Sequence, residues 1–139
     1  MTAVTSVTDR DYRRLLAVRT RLRAFEQWSA DRAAEHGLTA AQHQLLLAIR
    51  GHADPAGPTI GQAANYLLTR HNTAVELINR TQRLGLINRT PDEDDHRVVR
   101  LSLTDEGLRR LRALSAAHIE ELARLSPMIE ALITELNTT

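Results

Sequence analysis

Arg70-His71-Asn72-Thr73-Ala74-Val75-Glu76-Leu77-Ile78-Asn79-Arg80-Thr81-Gln82-Arg83-Leu84-Gly85 is the stretch whose reading decides the fold. At about 100° per residue, Ala74, Ile78, Thr81 and Gly85 fall on one side of a helix. Asn72, Thr73, Glu76, Arg80 and Arg83 fall on the opposite side. That outward face carries amides, hydroxyls and guanidinium groups, which can read base edges or hold phosphates. The same face would also suit a helix that meets only water, so its neighbours in the chain must decide.

Downstream, Gly85 is placed to end the helix as a left-handed cap. Leu86-Ile87-Asn88-Arg89 reads as a short strand, Pro91-Asp92-Glu93-Asp94-Asp95-His96 as a turn, and Arg97 to Leu103 alternates as the returning strand. Thr104 with Asp105 and Glu106 signals the next helix. Upstream, Thr39 caps a helix from Ala40 to about His52, with Leu45, Leu46, Leu47 and Ile49 as its apolar body. The turn Asp54-Pro55-Ala56-Gly57-Pro58 ends it. Thr59 caps a short helix to about Leu67, with Ile60, Ala63, Ala64 and Leu67 inward. Gly61, Ala63 and Ala64 are small enough to let the following helix cross closely. Helix-turn-helix, hairpin and helix in that order make a winged helix.

At the chain ends the reading is long helix. Thr8 or Asp9 can cap one running to about Glu35, where Gly37 stops it; Leu15, Val18, Leu22, Phe25 and Trp28 form a narrow apolar stripe. A long helix with so narrow a stripe packs on a small core or on another chain. A second runs from Asp105 to about Leu125, with Leu108, Leu111, Leu114, Ala117, Ile119 and Leu122. Ser126-Pro127 is expected to break it and start a last helix from Met128 to about Leu136. Met1 to Thr8 lacks periodicity and is expected to be a loose arm. The fold class is mainly α, a winged helix-turn-helix with a two-stranded β wing and terminal helices. The expected divisions are residues 1–36, 37–103 and 104–139.

Composition bounds the function. A chain of 139 residues suits one domain with its own core, and 42% hydrophobic with 25% charged residues is ordinary for a soluble globular protein. A formal charge of +1 does not exclude nucleic acid, because only one face need meet phosphate. All 18 basic residues are arginine, and Arg70, Arg80, Arg83, Arg89, Arg97 and Arg100 cluster around the polar helix and hairpin. The all-arginine usage fits either a GC-rich genome or the bidentate fork that guanine and phosphate favour.

The absence of cysteine excludes disulfides and thiol redox sensing. No apolar run approaches the roughly 20 residues of a membrane span and no signal peptide is evident, so a cytoplasmic protein without membrane contact is expected. His36, His43, His52, His71, His96 and His118 are scattered without paired spacing, so no metal is expected. Neither a Ser-His-Asp set nor a Gly-rich phosphate loop occurs in the context its chemistry requires; neither an enzyme nor a cofactor is expected. Asp92 to Asp95, on a hairpin tip open to water, should have ordinary acidity.

Leu38-Thr39 with Gln42, Gly85-Leu86-Ile87 with Arg89, and Asp95-His96-Arg97 six residues before Leu103-Thr104-Asp105-Glu106-Gly107 resemble the multiple antibiotic resistance regulator (MarR) family of bacterial transcription factors. The resemblance runs through nearly the whole chain in order and spacing. His96 departs from it where an Arg is usual, and Thr81 where Leu is frequent, which puts the wing's grip and the packing of the polar helix in question. The resemblance implies a two-fold dimer built from both chain ends. It also implies that Arg97 reaches a minor groove at the wing tip, where a narrow A·T-rich groove attracts arginine. Otherwise Arg97 is an ordinary hairpin charge paired with Asp95. The acidic run Asp92 to Asp95 would be odd against phosphate, and makes sense as a brace that orients Arg97.

With the hairpin in place, Arg70, His71, Asn72, Thr73, Val75, Glu76, Arg80 and Arg97 are the expected DNA contacts. Asn can pair with adenine, Thr can bond a phosphate or touch a thymine methyl, and Glu can accept from cytosine N4. Family members often bind phenolic or aromatic acids between their dimerising helices and their reader. Arg19, Trp28 and His43 lie on elements that could line such a pocket, although each suits a core or surface role as well. The function expected is a dimeric, ligand-responsive regulator, a repressor released from a pseudo-palindromic operator by a small aromatic or phenolic acid. The rival is a winged-helix protein-interaction module without DNA readout. Its outward helix face should carry apolar anchors instead of Asn, Thr and Arg.

Overall fold

Threonine begins four of the five helices among the described residues. A computed structural model describes residues 6–136. It comprises α1 (Asp9–Glu35), α2 (Ala40–Gly51), α3 (Ile60–Tyr66), α4 (His71–Arg83), β1 (Ile87–Pro91), β2 (Val99–Leu103) and α5 (Asp105–Leu136). Thr8 and Asp11 exchange hydrogen bonds at the start of α1, Asp11 N–H donating to Thr8 Oγ1 at 3.2 Å. Thr39 with Gln42 and Thr59 with Gln62 form full capping boxes on α2 and α3. Thr104 Oγ1 accepts from Gly107 N–H at 3.1 Å on α5. Each satisfies N–H groups that the first turn of a helix leaves open. Most of the expected N-terminal arm lies outside the described residues.

The chain divides into two compact units, one from Arg32 to Ser115 and one joining the residues up to Asp31 with those from Ala116 on. In the first, α2, α3, α4 and the hairpin enclose a core in which Leu45, Leu46, Ile78, Leu86, Ile87, Leu101 and Leu114 are almost wholly buried. Leu47, expected in that core, is half exposed: one residue beyond Leu46 turns it about 100° away. Ala63 and Ala64 are buried where α3 meets α4. Gly61 is exposed, and a Cβ there would meet only Thr59 Oγ1 at 4.0 Å, so the alanines alone make the close crossing.

β1 and β2 pair antiparallel, Ile87 opposite Leu103 and Pro91 opposite Val99. Each strand starts later than the residue pattern predicts. The Leu86 carbonyl accepts from Thr104 N–H at 3.0 Å instead of joining the ladder, and Val98 N–H turns back to Asp95 O at 2.9 Å, which leaves Arg97 in the turn. The hairpin also has an unforeseen third member. Thr59 bridges Arg100, and Leu101 N–H donates to Pro58 O at 2.9 Å. Gly57 permits that approach: its φ is +89°, and a Cβ would sit 1.9 Å from Leu101 O.

In the second unit α5 is continuous through Pro127, so the expected break at Ser126-Pro127 does not occur. The proline forfeits its hydrogen bond to the Ala123 carbonyl, a cost of about 3 kcal/mol in a helix interior. The turns beyond it are tied to α1, with Arg21 Nη1 lying 3.9 Å from Met128 Sδ and Arg14 ion-paired with Glu135. Leu15, Leu16, Leu22, Ile119, Leu122 and Ile133 of this unit remain 45–68% exposed. Among the described residues no helix is long and apolar enough to cross a membrane.

Candidate nucleic-acid interface

α4 buries Ala74, Ile78 and Thr81 and exposes His71, Asn72, Thr73, Glu76, Asn79, Arg80, Gln82 and Arg83. Val75 is half-buried at the edge of that face, and Arg70 precedes it, exposed. Thr81 is wholly buried, and its hydroxyl donates to Leu77 O at 2.7 Å, so the polar atom is satisfied inside the core. Gly85 lies past the helix end at φ +76°, exposed and not on the core side expected of it. At the other end, α4 begins at Arg70 with no side-chain cap. Its first N–H groups therefore point out of the helix unsatisfied by any cap, at the positive end of the helix dipole.

The wing carries Arg97 at its tip, the side chain 91% exposed. Asp95 holds it: Oδ1 accepts from Arg97 N–H and Nε–H at 3.1 Å each, and Oδ2 from Nη2 at 3.3 Å. That pairing, with the Arg97 side chain first and its backbone N–H second, holds the Asp95 carboxyl below the usual carboxylate range. Asp92 is also depressed, first by the Asp95 backbone N–H and then by the Arg100 side chain. The ordinary acidity expected of this acidic run therefore fails at both positions, because a water-exposed tip can still be densely hydrogen-bonded. The brace is also narrower than expected. Asp95 alone touches Arg97, and Asp92 orders the turn by accepting from Asp94 and Asp95 N–H. His96 is exposed beside Arg97.

Two arginines counted in the basic cluster have structural partners. Arg100 is mostly buried, with Nε on Asp92 Oδ1 at 2.9 Å and Nη1 on Gly57 O at 3.1 Å. Arg89 Nη2 donates to Asn79 Oδ1 and so ties β1 to α4. No periodicity signals either contact, since each joins elements through tertiary placement. The missing cap on α4 was legible: Arg70 stands where the other helices have threonine.

The three expected effector residues are not gathered into one site within either unit. Arg19 is exposed on α1, and His43 is buried in α2 of the winged unit. Trp28 lies with Phe25 and His118, ring centroids 5.9 and 4.8 Å away, and His118 Nε2 is 2.7 Å from Ser29 Oγ. His118, passed over as one of six scattered histidines, is the residue that sequence reasoning missed here. Among the described residues no group of three or more His, Asp or Glu could hold a metal.

A MarR family profile matches residues 36–98, from the turn before α2 to the wing tip. The regulator PecS of Dickeya dadantii is 30% identical over 104 residues, covering 74% of this chain and 63% of PecS, so the chain spans less than two thirds of that relative. A crystal structure of a MarR family transcription regulator is 25% identical with a TM-score of 0.72, over 84% of this chain and 75% of that one. In its winged segment the chain is similar to MarR family regulators. S. aureus MepR in its DNA complex shares the fold, with a TM-score of 0.68 at 21% identity over 85% of this chain and 89% of its own. Both PecS and that MarR family structure are named as transcription regulators. All eight expected DNA contacts fall inside the segment that matches the MarR profile.

Proposed function

We propose that this chain is a dimeric, ligand-responsive regulator that binds double-stranded DNA, a repressor released from a pseudo-palindromic operator by a small aromatic or phenolic acid. One observation carries the reading. Among the five described helices α4 alone starts without a side-chain cap, and its open N–H groups share that end with exposed Asn72 and Thr73. Such an end can accept a phosphate while its side chains meet base edges. Arg70, His71, Thr73 and Arg80 then hold backbone or base, Asn72 pairs with adenine, and Val75 offers an apolar edge to a thymine methyl. Glu76 accepts from cytosine or turns away from phosphate. Arg97, on the wing, enters the minor groove.

Residues 37–103 are the reader in this account, and residues 1–36 and 104–139 dimerise. The exposed leucines and isoleucines of α1 and α5 supply apolar surface for a second copy. The dimer holds two α4 helices about one helical turn of DNA apart, roughly 34 Å. An aromatic acid near Arg19, Trp28 or His43 alters that spacing, with a coupling of about 1–3 kcal/mol. The DNA complex of MepR supports DNA as the partner. The test is footprinting on the chain's own upstream DNA, with a salt titration and a panel of aromatic acids. A protected two-fold site whose affinity falls linearly with log[salt] is expected. No protection at any salt would favour a protein-interaction module.

A further inference from the structure

We infer that Arg100 is a positioning residue that sets the wing-tip Arg97 in place before DNA arrives. The inference rests on the reading of Arg97 as a DNA contact. Arg100 itself is poorly placed to read anything, its side chain being only 22% exposed. Its Nη1 donates to Gly57 O at 3.1 Å and lies 3.9 Å from Asp54 Oδ2, anchoring it to the loop before α3. Its Nε donates to Asp92 Oδ1 at 2.9 Å. The second oxygen of Asp92 accepts from the N–H groups of Asp94 at 3.1 Å and Asp95 at 3.0 Å. Asp95 in turn grips the Arg97 guanidinium through both carboxylate oxygens.

The bonds form one relay, from the Gly57 carbonyl through Arg100 and Asp92 to the turn, and from Asp95 to Arg97. Each carboxylate in it uses both oxygens, so no link can slip without unpairing another. An arginine already held in one direction has less freedom to lose on binding. Without Arg100, Asp92 keeps its bonds to the Asp94 and Asp95 N–H groups, but the turn that presents Asp95 loses its side-chain link to the Gly57 carbonyl in the loop before α3.

The test is a double-mutant cycle on a duplex spanning the chain's own upstream DNA. Arg100→Leu should weaken binding about tenfold in the native chain and less than twofold in the Arg97→Ala background. Arg100→Lys, which keeps charge and fold but not the fork, should behave the same way. A DNA-free readout accompanies it: hydrogen exchange of the Arg97 Nε–H, followed by NMR, should quicken in Arg100→Lys while the urea midpoint moves little. Equal losses in both backgrounds, or an unchanged exchange rate, would overturn the positioning role. If Arg97→Ala binds as tightly as the native chain, the reading of Arg97 as a DNA contact fails, and the exchange rate still decides the relay.

Discussion

The hydroxyl of Thr104 donates to the carbonyl of Gly85 at 2.7 Å, joining the end of α4 to the start of α5 across the base of the wing. The same oxygen accepts from Gly107 N–H, so one side chain both closes the hairpin and caps a helix. Gly107 is pressed into that corner, where a Cβ would lie 2.1 Å from Leu86 O.

Thr104→Ala should therefore lose a cap and a clamp together. A destabilisation on the order of 1–3 kcal/mol is expected from the two roles. Urea unfolding of the two proteins measures it, and a change below about 0.5 kcal/mol would mean the clamp carries no weight.

Gly57→Ala should be worse. Its positive φ and the Leu101 carbonyl 1.9 Å from any Cβ leave no room, so Pro58 and Thr59 must leave β2. A loss of about 2–4 kcal/mol is expected, read as a lower urea midpoint, with weaker protection of Leu101 N–H in hydrogen exchange. Protection at Leu101 equal to that of the native chain would contradict the third pairing.

Glu106 supplies a pH signature. Hydrogen bonds from Arg109 and then Arg110 lower its carboxyl from 4.5 to about 2. A depressed carboxylate stabilises the fold fully above its unfolded value and loses that contribution as pH falls through the folded one. Glu106→Gln should thus be less stable than the native chain at neutral pH, with the gap closing between about pH 4.5 and pH 2. Urea midpoints across that range check it; a constant gap would contradict the pairing.

The winged helix was legible because its signals are local: threonines before helices, Gly85 after one, and the two faces of α4. The packing of Thr81 was not, because a hydroxyl in a leucine position looks like a defect until its bond to Leu77 O is seen. Pro127 misled for the opposite reason, since a local helix breaker sits inside a helix whose next turn meets α1 more than a hundred residues away in sequence, at Arg21 with Met128. In the wing, alternating residues revealed two strands but not the single-residue bridge from Thr59 to Arg100. The contact of Trp28 with His118 was the least legible, because those rings meet only through tertiary placement.

Assembly gives a further prediction. With Leu16 and Ile119 each 68% exposed, the full chain should sediment as a dimer at micromolar concentration. Deleting the residues after Ser126 should yield monomer or insoluble protein. A soluble, folded monomer of the full chain would contradict the assignment of both ends to dimerisation.

The central claim is that α4 reads bases while the wing grips a minor groove. Paired salt titrations of Asn72→Ala and Arg97→Ala, on operator and on scrambled DNA, test it most directly. Asn72→Ala should cost about 1–3 kcal/mol on the operator and much less on scrambled DNA. Arg97→Ala should weaken binding to both, and lower the salt slope by roughly one, while leaving preference within the half-sites unchanged. Equal losses on both DNAs for Asn72→Ala, with half-site preference altered by Arg97→Ala, would contradict the assignment of helix and wing to their grooves.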